Sequence, residues 1–201
     1  ITNRLVGSEM CIRDRVGTLE WGSWEDFKVI REKLILEDAS YEFDVGKLRK
    51  KLLLMKIKER VSDPEAANEL SEKAFQLFFK ERNRVDFFPN VLDEIKKLAL
   101  IYELGCLTNG NADIEIIGID KFFEFNISSK DVGANKPSEN HFHRARELLG
   151  LGKDEILHIG DHKINDMLGA INYGCEALWF NPDKMVWDCL LYTSDAADDD
   201  T

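Results

Sequence analysis

Three short polar clusters contain the residues whose types and spacing could do chemistry, and each lies beyond an apolar stretch. They are Thr108, Asn109 and Gly110 in the first cluster, Lys136 in the second, and Asp161 and Asp166 in the third. A hydroxyl beside the backbone N–H groups of a turn suits a phosphate oxygen, and a lysine neutralises phosphate charge. Paired carboxylates suit Mg²⁺, which takes few carboxylates and keeps several waters. Together the clusters predict a site for a phosphate group and a divalent cation.

Each cluster also has an ordinary structural interpretation. Asn-Gly is a common turn pair, a lysine before a proline can be a solvated surface residue, and an aspartate after a strand can cap the next helix. The functional interpretation is favoured because all three clusters follow predicted strands. In an open parallel sheet, ligands bind at the carboxyl ends of the strands. We therefore expect the clusters to meet at one edge of a sheet.

Alternating strands and helices must position these clusters. After Pro89 the sequence predicts helices over 90–99, 138–149 and 167–174, and strands over 101–107, 125–128, 155–159 and 176–180. This alternation indicates a parallel sheet with right-handed crossover connections. The predicted fold class is α/β, with a Rossmann-like parallel sheet core.

The stretch before this core, about residues 24–84, is predicted to be helical. Apolar residues recur at helical spacing in 24–36, a basic-faced helix covers 47–60, and Asp63-Pro64 is typical of a helix start. The apolar residues at helical spacing in the first helix are Trp24, Phe27, Ile30 and Leu34, and those on one face of the last helix are Leu70, Ala74, Leu77 and Phe78. This stretch is therefore interpreted as a helical insert beside the core.

The composition is that of a folded acidic protein. Of 201 residues, 44% are hydrophobic, and 38 acidic against 27 basic side chains give a formal net charge of −11. Such a surface argues against nucleic acid or an anionic membrane as a partner. No apolar run approaches the ~20 residues of a membrane span, and no signal peptide is recognisable. Cys106 and Cys175 lie in apolar runs without metal-ligand spacing, which indicates free core thiols and a cytoplasmic location.

Four sequence segments, FFPNVLDEIKKLA, LTNGN, GANKPSENHF and ILHIGDHKINDMLGAINYG, follow one another in a recognisable order. In this order the chain, from about residue 85 to 182, resembles the haloacid dehalogenase superfamily of phosphatases. Thr108 matches the second motif of that superfamily, Lys136 the third, and Asp161 and Asp166 the fourth. Within it, the TNGNA and NKP sequences are most similar to bacterial phosphatases that act on 5-amino-6-(5-phosphoribitylamino)uracil, a riboflavin precursor.

The resemblance implies a Mg²⁺-dependent phosphomonoester hydrolase that acts on a small phosphorylated metabolite through an aspartyl-phosphate intermediate. The implied catalytic residues are Thr108 and Lys136, the implied substrate-binding residues are Thr108, Asn109, Gly110 and Lys136, and the implied metal ligands are Asp161 and Asp166. Residues 16–84 would form a small helical cap, and residues 85–188 the α/β core. The partner would be a small metabolite, and the oligomeric state is not predicted.

The first motif of the superfamily, DxDGT or DxDxT, is matched only in part. Asp14 stands where the nucleophile would, but Val16 replaces the acid/base aspartate, and valine cannot carry a proton. Residues 1–15 and 189–201 resemble translations of sequencing-library adapters, so the match of Asp14 is interpreted as coincidental. We expect little or no phosphatase activity from this polypeptide, whereas the intact natural protein is expected to be an enzyme.

The incomplete first motif also has a structural consequence. In the superfamily the strand that carries this motif is central to the sheet, and its loss would leave two neighbouring strands without a partner. We therefore expect either a gap in the sheet or recruitment of residues near 4–16 as a substitute strand.

Two other functions are compatible with the sequence. A haloacid dehalogenase would use the same aspartate nucleophile without a metal, and the Asp161/Asp166 pair and Lys136 favour the phosphatase instead. A non-catalytic phospholigand-binding protein would use Thr108 and Lys136 to hold phosphate without a nucleophile.

Overall fold

The computed structural model describes residues 22–187. The adapter-like ends lie outside this range, and so do Asp14 and Val16. The described chain begins with three helices and continues with alternating strands and helices, as expected for an α/β core preceded by a helical region. No helix in the described range is long and apolar enough to cross a membrane.

The helical region contains α1 (Trp24–Glu37), α2 (Val45–Lys58) and α3 (Pro64–Arg82). Each helix begins where a side chain accepts a hydrogen bond from a first-turn amide, which supplies a partner that the helix itself lacks. The capping residues are Ser23, Asp44 and Asp63. Since these caps are local signals, the helix boundaries lie close to the predicted ones.

Helices α2 and α3 share a hydrophobic core. Its buried members are Leu53, Ile57, Ala67, Ala74, Phe75 and Phe78, with Leu70 partly buried against them. Of the apolar residues at helical spacing in α1, Leu34 is buried and Phe27 and Ile30 are half-buried. Trp24 is 63% exposed and stacks on Phe27 with ring centroids 5.1 Å apart. These two rings cover each other within the first turn of α1 instead of entering a core.

The α/β region follows in regular order. Its elements are α4 (Val91–Ala99), β1 (Gly105–Thr108), α5 (Ile114–Ile117), β2 (Phe125–Ser128), α6 (Ser129–Val132), α7 (Asn140–Leu149), β3 (Leu157–Gly160), a π-helical turn (Lys163–Leu168), α8 (Gly169–Tyr173) and β4 (Glu176–Trp179). Short 3₁₀ turns cover Ala39–Glu42, Asp120–Phe122 and Lys153–Glu155. Strand β1 starts later than predicted because Ile101 and Tyr102 both donate backbone hydrogen bonds to the Leu98 carbonyl and prolong the end of α4.

The strands form two parallel pairs. Strand β1 pairs with β2, so that Thr108 lies beside Ser128, and β3 pairs with β4, so that Gly160 lies beside Trp179. Within residues 22–187 no strand joins one pair to the other. This division into two pairs is what either predicted outcome, a gap or a substitute strand, requires of the described strands. The second outcome, a substitute strand from residues near 4–16, concerns residues outside the described range.

The second core lies against the inner faces of the strands. Its buried members are Phe142, Ala170, Tyr173 and Cys175, with Leu107, Ile156 and Ala177 packed against them. Successive residues of a strand point to opposite faces, and β3 follows this rule because Leu157 and Ile159 are exposed while His158 points inward. Cys106 and Cys175 are free thiols, as predicted.

Candidate active site

The ammonium group of Lys136 joins the three polar clusters. It is buried, with the residue only 7% exposed, and it donates hydrogen bonds to the Leu107 carbonyl at 2.7 Å and to Asp166 Oδ1 at 2.7 Å. A charge can be buried only when it is paired and hydrogen-bonded. Lys136 therefore brings the end of β1 and the loop after β3 to one place, although 30 residues separate Lys136 from Asp166 in the chain.

Asp166 is the acceptor at the centre of this arrangement. Its Oδ1 also accepts from His158 Nε2 at 3.2 Å, and its Oδ2 accepts from the backbone N–H of His162 at 3.0 Å. Burial raises the pKa of Asp166, but the hydrogen bonds from His158, Lys136 and the His162 amide outweigh burial and hold that pKa far below its usual range. The carboxylate is therefore ionised at neutral pH and pairs with the lysine.

A glycine makes room for this carboxylate. A Cβ atom on Gly160 would lie only 2.5 Å from Asp166 Cβ and 2.6 Å from Oδ2, which is closer than real Cβ contacts. Any other residue at the end of β3 would displace the Asp166 side chain. The glycine in the sequence Gly160-Asp161 is thus required by packing and sets the path of the chain into the π-helical turn.

The Thr108 hydroxyl lies at the carboxyl end of β1. Its Oγ1 accepts a hydrogen bond from the backbone N–H of Gly110 at 2.9 Å, so its own proton is available for an acceptor such as a phosphate oxygen. The Gly110 N–H is thereby used within the turn. The predicted role of Gly110 in substrate binding stays a prediction, and its observed contact orients Thr108.

Asn109 fixes the backbone of Lys136. Its Oδ1 accepts from the Lys136 N–H at 2.7 Å, its Nδ2 donates to the Lys136 carbonyl at 2.9 Å, and Ser129 Oγ donates to the same Oδ1 at 3.2 Å. The side-chain amide of Asn109 is therefore engaged on both sides. Its predicted contact with substrate stays a prediction, and the observed geometry makes Asn109 a positioning residue for Lys136.

His141 forms a hydrogen bond with the backbone of Thr108 and was not identified as a site residue from the sequence. It is fully buried, and its Nε2 donates to the Thr108 carbonyl at 3.2 Å, which leaves Nδ1 without a hydrogen-bond partner in the described range. Burial lowers the pKa of His141, which is therefore neutral at pH 7. The only sequence signal was a polar residue in the helix that starts after Lys136.

His158 was also missed by the sequence analysis, although it interrupts the apolar strand EILHI. Besides its bond to Asp166, its ring meets Phe142 edge to face with centroids 5.0 Å apart. The ring is thus held by packing in the position from which it donates to the carboxylate. An inward-facing histidine in an apolar strand was the signal that could have identified it.

The two aspartates predicted as metal ligands have different surroundings. Asp161 is exposed, and its carboxylate forms no hydrogen bond or ion pair within residues 22–187, whereas its carbonyl accepts from Trp179 Nε1 at 2.9 Å. Both oxygens of Asp166 already accept hydrogen bonds. Within the same range no group of three or more histidine, cysteine, aspartate or glutamate side chains could hold a metal ion. As a hard oxygen donor, Asp161 fits Mg²⁺, and Asp166 in its observed contacts does not.

A cleft of about 870 Å³ opens between the helical region and the core. Its walls include Lys47, Lys50 and Phe75 from the helices and Asn111 and Ser128 from the core. Thr108, Lys136 and the two aspartates do not line it, but Ser128 is the register partner of Thr108. The cleft therefore lies beside the polar cluster and is large enough for the body of a small metabolite.

A parallel α/β core that gathers a threonine, a lysine and an aspartate beside a helical region defines a hydrolase of the haloacid dehalogenase type. The family model described as haloacid dehalogenase-like hydrolase matches residues 46–180, and the chain belongs to this family. The resemblance seen in the four sequence segments is thereby confirmed, and so is the fold class.

Individual relatives include two phosphatases and one solved dehalogenase. The chain is 30% identical to the 5-amino-6-(5-phospho-D-ribitylamino)uracil phosphatase YigB of Escherichia coli, over 83% of this chain and 72% of that protein. It is 30% identical to a phosphoserine phosphatase of Thermus thermophilus, over 67% of this chain and 55% of that protein. The crystal structure of a 2-haloacid dehalogenase from Pseudomonas syringae pv. Tomato is 31% identical and matches with a TM-score of 0.84, covering 92% of this chain and 83% of that one.

Proposed function

We propose that the protein is built for the hydrolysis of phosphomonoesters of small metabolites. The observation that carries this proposal is the buried Lys136 ammonium, which links the end of β1 to Asp166. An ammonium group has three donors and two are used within the protein, so we assign the third to an anion bound beside the Thr108 hydroxyl. The phosphatases among the relatives support this assignment over the alternatives.

The reaction proposed is covalent phosphoryl transfer. A carboxylate oxygen attacks phosphorus, the bond from phosphorus to the ester oxygen breaks, and the leaving alkoxide takes a proton from a general acid. Water then attacks the aspartyl phosphate, releases inorganic phosphate and restores the carboxylate. Asp166 is not the nucleophile, because its Oδ1 accepts from Lys136 and His158 and its Oδ2 accepts from the His162 N–H. The nucleophile belongs to the first motif, which this chain matches only in part and outside the described range.

In this reaction Thr108 and Lys136 hold the phosphoryl oxygens, and Asp166 orients the ammonium group of Lys136 through their hydrogen bond. Asp161 would be the ligand that this part of the chain gives to Mg²⁺. When bound, Mg²⁺ neutralises negative charge on the phosphoryl group. The metal ion, like the aspartyl-phosphate intermediate, belongs to the proposal.

The substrate proposed is a small phosphorylated metabolite whose body occupies the cleft beside Ser128. The relative YigB makes 5-amino-6-(5-phospho-D-ribitylamino)uracil the first compound to test. The free thiols and acidic composition support a cytoplasmic enzyme without nucleic-acid or membrane partners.

The proposal is tested on the chain as it stands and on Val16→Asp, which completes the pattern DxDGT after Asp14. Isothermal titration should detect inorganic phosphate binding to the chain, and Lys136→Met should lose it. With Mg²⁺ and p-nitrophenyl phosphate we expect little or no turnover by the chain. Turnover by Val16→Asp but not by Val16→Asn would establish the hydrolase and the need for an acid/base aspartate at position 16.

The other functions give different results in the same experiment. Phosphate binding without turnover by either Val16 variant would show that Asp14 does not act as a nucleophile. A DxD pattern encoded in frame upstream of residue 16 in the natural gene would then support the hydrolase, and its absence would support the non-catalytic phospholigand-binding protein. Halide release from 2-chloropropionate by Val16→Asp, without phosphate binding, would support a dehalogenase. Robust turnover by the unmodified chain that Asp161→Asn abolishes would refute the predicted inactivity.

A further inference from the structure

The phosphate site needs more positive charge than Lys136 supplies. A phosphate monoester carries about −1.5 to −2 charges at pH 7. The Lys136 ammonium is paired with the ionised carboxylate of Asp166 at 2.7 Å, so that this pair is neutral as a unit. A dianion placed beside the Thr108 hydroxyl would therefore meet no net positive charge from these residues.

The guanidinium group of Arg82 lies next to the Thr108 turn. A Cβ atom built on Gly110 would lie 3.3 Å from Thr108 Oγ1 and 3.4 Å from Arg82 Nη2, so the hydroxyl and the guanidinium flank the same point. Arg82 Nε donates to Asn111 Oδ1 at 3.0 Å, which fixes the plane of the group against this turn. The absence of a side chain at Gly110 leaves the space between the two donors open.

The next residue anchors Arg82 in this position. Asn83 is buried, its Oδ1 accepts from the Asp113 N–H at 2.8 Å, and its Nδ2 donates to the Phe79 carbonyl at 2.9 Å. The last turn of α3 is therefore tied to the segment that follows β1. Arg82 reaches the Thr108 turn from a fixed backbone and not from a freely moving end.

The outer nitrogens of Arg82 are available to a ligand. Within residues 22–187 its guanidinium forms no ion pair, and its one hydrogen bond there uses Nε. Its neighbour Glu81 pairs instead with Arg84, at 3.9 Å. A guanidinium presents donors in a planar fork that matches phosphate oxygens.

A purely structural role for Arg82 is the alternative. A cation in the last turn of a helix interacts favourably with the helix dipole, and the bond to Asn111 adds to this. Such a role would change the stability of the protein but not its affinity for an anion.

We infer that Arg82 is an anion-binding residue of the phosphate site, contributed by the helical region to the turn after β1. This inference rests on the proposed function, because it takes the Thr108 turn as the place where phosphate binds. It adds a recognition element outside the three polar clusters. Phosphate binding would then join the end of α3 to the core through Arg82 as well as through Asn83.

The test is isothermal titration of inorganic phosphate into the full chain at low ionic strength, for the unmodified protein, Arg82→Gln, Arg82→Lys and Arg84→Gln. Since a hydrogen bond to a charged group is worth about 1.5–3 kcal/mol, we expect Arg82→Gln to weaken binding at least about tenfold. Arg82→Lys should recover part of the loss. Arg84→Gln removes the same charge two residues away and should change the affinity less than about twofold, as expected of an exposed charge outside the site.

The possible failures are distinguishable. Equal binding by the unmodified chain and Arg82→Gln, with Lys136→Met still deficient, would overturn the role of Arg82 and leave the proposed function standing. An equal loss in Arg82→Gln and Arg84→Gln would also overturn it, because the effect would then be general electrostatics. No phosphate binding by the unmodified chain would overturn both. Thermal unfolding of each variant separates misfolding from lost binding. If Arg82→Gln does not fold, the phosphate affinity of Arg82→Lys is compared with that of the unmodified chain instead.

Discussion

Lys136 Nζ and Asp166 Oδ1 lie 2.7 Å apart with both side chains more than nine-tenths buried. This ion pair links the loop that precedes α7 to the π-helical turn that follows β3. Through the bond from Lys136 to the Leu107 carbonyl it also reaches β1. The two strand pairs, which share no backbone hydrogen bonds in the described range, are thus connected by side chains at the candidate active site.

Replacing Asp166 by Asn should destabilise the protein strongly. Removing one partner of a buried ion pair leaves the other charge uncompensated, which costs about 3–5 kcal/mol. The free energy of unfolding in urea measures the loss. Asp161→Asn is the matched control, because Asp161 lies five residues away and is exposed. This variant should change the free energy of unfolding by less than about 0.5 kcal/mol. Similar losses for both variants would contradict the assigned roles.

The stability of the protein should depend on the ionisation of Asp166 at acid pH. The folded-state pKa of Asp166 is depressed, so its contribution is fully present above the unfolded pKa of about 3.9 and is lost as the pH falls below it. The free energy of unfolding, measured from pH 5 to pH 3, should fall with decreasing pH. For Asp166→Asn the free energy of unfolding should fall less over the same range. A fall as large as that of the unmodified protein would exclude Asp166 as the cause of the pH dependence.

His141 should give a second pH dependence in a higher range. Its pKa is lowered by burial, so the folded protein favours the neutral ring, and stability is lost as the pH falls below the unfolded pKa of about 6.5. Unfolding in urea between pH 7.5 and 5.5 measures this loss. His141→Gln keeps a donor for the Thr108 carbonyl and should flatten the profile. His143→Gln, at an exposed position of the same helix, is the control for the substitution itself.

Gly160→Ala should disturb the candidate active site through packing alone. The added methyl group would overlap Asp166 Cβ, and overpacking of this kind costs about 1–3 kcal/mol. Urea unfolding should show this loss, and phosphate titration should show weaker binding because Asp166 no longer holds Lys136. Gly46→Ala, in the first turn of α2, meets only side-chain atoms, the nearest from Asp44, and should be nearly neutral. Normal phosphate binding by Gly160→Ala would contradict this coupling.

The helices and the order of the α/β elements could be predicted because their signals are local. Asp63 and Pro64 start α3, and Gly150 ends α7 with a positive φ, as the sequence indicates. The meeting of Lys136 and Asp166 could also be anticipated, since both follow predicted strands. The contacts of His158 could not, because they depend on side chains from separate elements.

Two further differences between the predicted and the observed structure also arise from contacts between separate elements. Asn109 has the composition of a ligand-binding turn, but its amide is used on the backbone of Lys136, which only the folded arrangement reveals. Trp24 has the spacing of a core residue, but helical periodicity does not specify what lies opposite the helix. Sequence periodicity predicts helices and strands and which of their faces are apolar. Which residues those faces contact is decided by packing between segments that are distant in the sequence.

The separation of the two strand pairs has a consequence for solvent exchange. Amide protons on the edges of β1 and β3 that face away from their paired strands have no main-chain acceptor within residues 22–187. With no further strand beside them, they should exchange with deuterium quickly. Those shared between β1 and β2, or between β3 and β4, should be retained longer. Slow exchange along both open edges would instead indicate that another segment lies between them as a fifth strand.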